Sequence, residues 1–401
     1  MNMLFKNCNL ISPDVELDGA SILVENNMIR KIFAKGDALP QADKVIDVNG
    51  EMTVPGFVDV HCHGKSGVDF SDATDEAMTT IGIDKLKEGV TTFLPTTLTL
   101  PEEQLAKSLR TAANYVKNGV KGVKLAGVHL EGPFINPKCL GAQNPDFVRE
   151  PDIEMVKRLA GIFPVKKVSY AVEMPGGDKF AAECLAEGIT PSCVHSAATF
   201  KQFQAAHEHG LQNLTHFCNQ MTPLHHRDIG LVGAGFACKD VFIELICDKL
   251  HICPDMISLI FSLKNVEKIQ LITDAMRAAG MPDGESSLGG LAVIVKDGAA
   301  RLASNGALAG STLQICDALR NVYEITGLPL KDLIKTTSWN QAQALGLEKI
   351  GRLAPGYLAD IVILNSNFKV KSVFVEGELR YQENEAAGKV SCFPRFLFRR
   401  V

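Results

Sequence analysis

The sequence predicts a mixed α/β protein, a (β/α)8 TIM-type barrel carrying a small β-sandwich built from both ends of the chain. Three observations predict it. Short alternating apolar runs parted by turn-prone residues occupy the first 55 positions, the same texture returns past Arg352, and between them strand-like apolar runs alternate with amphipathic stretches. With 401 residues, 46% apolar and 22% charged, the chain has the balance of a globular protein rather than a disordered or fibrous one.

At the N-terminus, Ala20 to Val24 and Met28 to Phe33 flank the turn Glu25-Asn26-Asn27. Near the C-terminus, Ala359 to Leu364 and Val373 to Val375 precede the turn Glu376-Gly377-Glu378. Neither piece can bury a core alone, so residues 1–55 and 355–401 are expected to join in one discontinuous sandwich domain. Residues 56–354 then form the barrel. Its expected strands are Phe57 to His63, Thr91 to Thr96, Val123 to His129, Val168 to Glu173, Ile189 to His195, Asn213 to Phe217, Val241 to Asp248 and Ile269 to Asp274. Thr74 to Glu88, Pro101 to Lys117, Pro151 to Ala160 and Thr199 to His209 lie among them with apolar residues at helical spacing. A barrel of this kind keeps its chemistry at the C-terminal ends of its strands. After the eighth strand, Leu291 to Val295, Asp297-Gly298 and Ala300 to Ala303 predict a β-hairpin excursion.

Ligand-type residues collect at those predicted strand ends. His61 and His63 close the first strand, and period two sets both imidazoles on one face, about 6.6 Å apart along the strand. Glu131 follows strand three, His195 ends strand five, His216 ends strand six and Asp274 ends strand eight. Four histidines and two carboxylates meeting at one barrel mouth suit one or two borderline divalent cations. The residues divide into His61, His63 and Asp274 for one cation and His195 with His216 for another, Glu131 serving one of them or bridging both. Such a site brings a bound water to deprotonation near neutral pH, so the predicted reaction class is metal-assisted hydrolysis. Asp274 is placed to pass a proton from that water to the leaving group, a task another carboxylate could also fill. His129, two residues before Glu131, faces the same side as a supporting group.

Other classes lack support. Forty-six acidic against forty-one basic residues leave a net charge of −5 with no basic tract, which disfavours nucleic acid. No run of about 18 apolar residues predicts a membrane span. Eleven scattered cysteines without a C-x-x-C spacing suit free thiols in a reducing compartment, and a cytoplasmic location is expected. There is no G-x-S-x-G elbow, P-loop or dinucleotide-binding glycine motif.

The run Val54-Pro55-Gly56-Phe57-Val58-Asp59 ahead of the histidine pair and the closing Gly351-Arg352-Leu353-Ala354-Pro355-Gly356-Tyr357-Leu358-Ala359-Asp360 are similar to the amidohydrolase superfamily. Further motifs narrow the likeness: His129-Leu130-Glu131-Gly132-Pro133-Phe134, Thr215-His216-Phe217-Cys218-Asn219-Gln220-Met221-Thr222-Pro223-Leu224, Thr273-Asp274-Ala275-Met276 and Leu308-Ala309-Gly310-Ser311-Thr312. Together they resemble the N-acetylglucosamine-6-phosphate deacetylase family from end to end. The resemblance implies cation ligation by Glu131, His195 and His216, a second site at His61 and His63, and Asp274 as proton shuttle. Having both histidines of the pair favours two cations, with Zn2+ or Fe2+ ahead of Mn2+ or Co2+. It further implies a phosphorylated amino sugar held by Asn219, the Gln220 backbone, Arg227 and His251, beside Leu308, Ala309 and Gly310. Arg227 would reach in from the partner subunit of a homodimer. Gln143 stands where some relatives touch the sugar with histidine; its amide can hydrogen-bond but cannot carry charge. The implied activity releases acetate and glucosamine 6-phosphate from N-acetylglucosamine 6-phosphate.

Three other readings stay open. N-acetylgalactosamine 6-phosphate differs only in a hydroxyl configuration that sequence does not place. A cyclic-amide hydrolase of the dihydroorotase or hydantoinase kind would bridge its metals with a carbamylated lysine ending strand four, where this chain has Ala171-Val172-Glu173-Met174-Pro175. A non-catalytic barrel would be expected to have lost ligands, and all six are present.

Overall fold

The computed structural model describes residues 2–383, so the last part of the predicted terminal domain, residues 384–401, lies outside them. One sheet gathers strands from both ends of the chain: Asn2–Ser12, Val15–Glu25, Met28–Phe33, Lys44–Asp47 and Met52–Pro55 with Ile361–Leu364, Val370–Val375 and Glu378–Gln382. Met52–Pro55 joins the two sets, pairing parallel with Asn2–Ser12 and antiparallel with Ile361–Leu364. The sheet curls on itself. Phe5 and Phe374 come from strands separated by two others, yet their rings meet edge to face with centroids 4.8 Å apart. Alternation explains the core between them, because Phe5, Ile22, Val24, Ile361 and Ile363 all turn inward while their neighbours face out or toward the rest of the molecule.

Eight parallel strand segments follow: Phe57–Cys62, Val90–Pro95, Lys124–Leu125 continued by Val128–Glu131, Val165–Tyr170, Thr190–Cys193, Asn213–Leu214, Phe242–Leu245 and Ile269–Leu271. They pair in chain order within two sheets, and parallel bridges link these sheets between Thr96 and His129 and between Cys62 and Ala275. The third strand breaks at Gly127, whose φ of +141° belongs to glycine and whose Cβ, if it had one, would lie 2.8 Å from the Lys166 Cβ. The helices start where local chemistry says they should. Thr74 and Asp152 accept a hydrogen bond from the third backbone N–H of Asp75–Asp84 and of Ile153–Ala160. Thr199 and Gln202 form a reciprocal capping box on Phe200–Glu208. Among the described residues no helix is long and apolar enough to cross a membrane.

Three expectations need correction. The fourth strand runs three residues earlier than expected at both ends, because the charged pair Lys166-Lys167 hid its start; Lys167 is buried against Glu244, a partner 77 residues away. The fifth, sixth and eighth strands stop at Cys193, Leu214 and Leu271, before His195, His216 and Asp274, which sit on the turns beyond them, and the seventh stops at Leu245, short of the expected Asp248. The predicted hairpin has a third strand as well, since Gly284–Leu288 pairs with Leu291–Lys296, which pairs with Ala299–Leu302.

A buried charge cluster ties the first strand to the eighth. Lys85 donates to Asp59 Oδ2 at 2.7 Å and lies 2.9 Å from Glu88 Oε1, which Lys65 reaches at 3.0 Å. Asp59 also accepts from the Thr273 hydroxyl at 2.6 Å, and the Asp274 N–H donates to the His61 carbonyl at 2.8 Å. His61 and Asp274 are therefore fixed relative to each other from below.

Candidate metal centre

The six ligand-type side chains converge. His61, His63 and Asp274 form one group and Glu131, His195 and His216 another, with the donor atoms of each within 4.8 Å of one another and every residue buried. Glu131 stands between the groups. Its Oε1 lies 3.2 Å from His216 Nε2, 3.6 Å from His195 Nε2 and 3.3 Å from His61 Nε2, and its Oε2 lies 3.3 Å from His63 Nε2. Asp274 Oδ1 approaches His61 Nε2 at 3.4 Å and His63 Nε2 at 3.2 Å. His61 and His63 reach the site directly from the end of the first strand, and Glu131 is the last residue of the third.

His195, His216 and Asp274 reach it differently. Each has a left-handed backbone, with φ of +43°, +33° and +47°. That conformation is uncommon outside glycine, although Asp and His adopt it more readily than branched residues, and it concentrates at functional sites. The turn throws each side chain inward just after its strand has ended.

Contacts behind the imidazoles set which nitrogen faces in. His63 Nδ1 lies 3.2 Å from the Thr96 carbonyl and His195 Nδ1 lies 2.6 Å from the Cys139 carbonyl, so each Nδ1–H donates outward and leaves Nε2 to the site. Gln143 is spent on the protein. Its amide nitrogen donates to Glu131 Oε2 at 2.7 Å, and its oxygen accepts from the Thr99 N–H at 2.8 Å.

The charges answer one another. Burial works to lower the His61 pKa, yet the Glu131 and Asp274 carboxylates hold it up at about 9, and His63 is raised well above its ordinary value against the same burial. Burial would raise both carboxyls, but His61 and its neighbours hold Glu131 well below the usual range and Asp274 below it. His216 is lowered by burial, and His129 is held well below its ordinary value by burial, with Lys167 and His61 nearby. A cation fits this donor set. His61 Nε2, which faces both carboxylates, is buried without a hydrogen-bond partner, and mixed imidazole and carboxylate donors are what zinc and iron take.

The centre opens into a cavity of about 350 Å³. Of the residues expected around a substrate, Gln143, Asn219, Gln220, His251, Leu308 and Gly310 line it. Ala309 does not; it is buried under the hairpin. Arg227 does not either, and lies exposed in a separate depression with Phe200 and His226. His251 Nδ1 is 2.7 Å from Asp248 Oδ2. Sequence reasoning missed Arg301, the one lysine or arginine that lines this cavity among the described residues. Its place in an alternating hairpin strand carries no signal of that role. It also missed Glu244, although a lone acid inside the apolar run Val241-Phe242-Ile243-Glu244-Leu245-Ile246 could have marked it.

Residues 52–380 match the Amidohydrolase family. The chain belongs to that family. This amidohydrolase is 35% identical over 386 residues to an N-acetylglucosamine-6-phosphate deacetylase of Lysinibacillus sphaericus, covering 96% of the chain and 99% of the relative. It is likewise 35% identical over 373 residues to an N-acetylgalactosamine-6-phosphate deacetylase of Escherichia coli O157:H7, covering 92% and 97%. Among solved structures, a mutant N-acetyl-D-glucosamine-6-phosphate deacetylase of Mycobacterium smegmatis in complex with N-acetyl-D-glucosamine-6-phosphate superposes with a TM-score of 0.88 at 31% identity, covering 94% of the chain and 99% of that structure.

Proposed function

We propose that this amidohydrolase removes the acetyl group of N-acetylglucosamine 6-phosphate, releasing acetate and glucosamine 6-phosphate. The observation that carries the reading is the pair of facing ligand groups sharing Glu131 at the floor of a sugar-sized cavity. The two parallel sheets, linked by their bridges, are read as the arcs of one (β/α)8 barrel, and the curled terminal sheet as its appended sandwich.

Glu131, His195 and His216 would hold one divalent cation, and His61, His63 and Asp274 a second, with Zn2+ or Fe2+ favoured by the donors. A cation there polarises an amide carbonyl and brings water to deprotonation near neutral pH. Asp274, 8% exposed at the cavity wall, takes the proton of the attacking water as the new C–O bond forms. It delivers that proton to the amide nitrogen as the C–N bond breaks, because an amine leaves poorly without one. Asn219, Gln220 and His251 at the cavity wall hold the phosphate, a remote handle that positions the acetamide. Arg227, exposed and outside the cavity of its own chain, is assigned to the phosphate site of a second copy in a homodimer.

Asp274→Asn should lose most acetate release while the Glu131, His195 and His216 group keeps its cation; near-normal turnover would remove the shuttle assignment. The equal likeness to an N-acetylgalactosamine-6-phosphate deacetylase supports a second reading, the galactose epimer. Comparing kcat/KM on the two sugar phosphates decides between them.

A further inference from the structure

Below the metal centre the barrel interior holds an ion pair that the reaction does not use. Glu244 comes from the seventh parallel strand and Lys167 from the fourth, and they are 2% and 1% exposed. Lys167 donates to Glu244 Oε1, and neither residue lines the cavity. Glu244 Oε2 faces His61 Nδ1 at 3.6 Å. Both of those atoms are buried and have no hydrogen-bond partner, and the gap is a few tenths of an ångström beyond an ordinary N–H···O bond. His129, whose Nε2 lies 2.7 Å from the Ser169 hydroxyl, packs edge-on against His61 from the same side with ring centroids 4.7 Å apart. A buried ion pair is weak evidence for stability, since well-packed apolar residues often do as well there. Its presence here calls for another reason.

We infer that Glu244 is the positioning residue of His61. The carboxylate accepts the Nδ1 proton and so presents Nε2 to the ligand group, while Lys167 keeps the carboxylate ionised and in place. The other imidazoles do not depend on such a side chain: His63 and His195 donate to backbone carbonyls, and His216 Nδ1 has no partner. The His61, His63 and Asp274 group therefore answers to Glu244, and the Glu131, His195 and His216 group does not. A carboxylate behind an imidazole also makes it a more basic ligand than a carbonyl does.

The inference rests on the two-cation reading above, and cation counting on the whole purified chain separates the two. After saturation with Zn2+ and dialysis, the wild type should hold two ions per chain. Glu244→Gln should bind the first as the wild type does and the second about 10- to 100-fold more weakly. Co2+ titration should show the same loss of one set of visible absorption bands. Because Glu244→Gln leaves Lys167 buried beside a neutral partner, the double variant Lys167→Met with Glu244→Leu, which removes both charges, is measured too and should show the same selective loss. A purely structural role would lower the thermal midpoint of the metal-free protein and leave stepwise binding unchanged. Two ions bound with wild-type affinities in either variant overturn the positioning role. A wild type that holds fewer than two overturns the two-cation reading itself.

Discussion

Replacing Gln143 with leucine decides whether that amide serves the metal centre or the sugar. In this structure both ends of the amide are committed to the protein, to Glu131 Oε2 at 2.7 Å and to the Thr99 N–H at 2.8 Å. Gln143→Leu keeps most of the volume and deletes both bonds. A hydrogen bond to an ionised group contributes about 1.5–3 kcal/mol, and each 1.4 kcal/mol is a factor of about ten. If that energy fixes Glu131 toward the two ligand groups, cation affinity should fall about 10- to 100-fold, the range usual for residues that orient a metal ligand. The buried Thr99 N–H is left without its acceptor, so the metal-free protein should also lose about 1–3 kcal/mol of stability. Chelator competition gives the affinity, and steady-state kinetics at saturating Zn2+ give kcat and KM. An affinity within threefold of the wild type together with a raised KM would refute the reasoning and return Gln143 to the sugar.

Further predictions follow from other buried groups. Lys85→Met strips a cation from Asp59 and Glu88, which keep Thr273, Lys65 and the Ile315 N–H as donors, so the loss should sit near 3 kcal/mol, the low end for breaking a buried pair; a urea midpoint shift worth under about 1 kcal/mol would contradict it. Burial would raise the Glu88 carboxyl, but Lys65 and Lys85 hold it below its ordinary 4.5, so the unfolded chain takes up the proton first. Its contribution is therefore complete above about pH 4.5 and fades as pH falls through the folded value. Thermal midpoints from pH 3 to 7 should show a shallower acid limb for Glu88→Gln, and parallel curves would rule the effect out. Cys253 is the one exposed thiol among the described residues, while burial pushes Cys62 up to about 11 and Cys316 up to about 12. Limited alkylation followed by peptide mass spectrometry should find Cys253 modified well before these two.

Much of the site was legible in the sequence because its signals are local. His61 and His63 obey the two-residue period of a strand, and Glu131, His195, His216 and Asp274 follow apolar runs long enough to be read as strands. What was not legible depends on the chain returning to itself. The inward throw of His195, His216 and Asp274 is a matter of backbone angle, so the predicted strands ran past their true ends. Lys167 disguised the start of its strand because its charge is cancelled only by Glu244, three strands away in the same sheet. No local pattern shows that the Gln143 amide bonds Glu131 and the Thr99 N–H. Arg301 reaches the cavity from the hairpin, and nothing in its neighbours marks a strand as a wall rather than an excursion.

The junction at Met52–Pro55 has a consequence for how the polypeptide is made. That segment runs through Gly56 into the strand bearing His61, and its antiparallel neighbour, Ile361–Leu364, leaves the ribosome about three hundred residues later. Until then one edge of the early strand stands bare, so a prematurely stopped translation product cannot latch the segment that leads into His61 and His63. Completion of synthesis and closure of this sheet are thereby coupled.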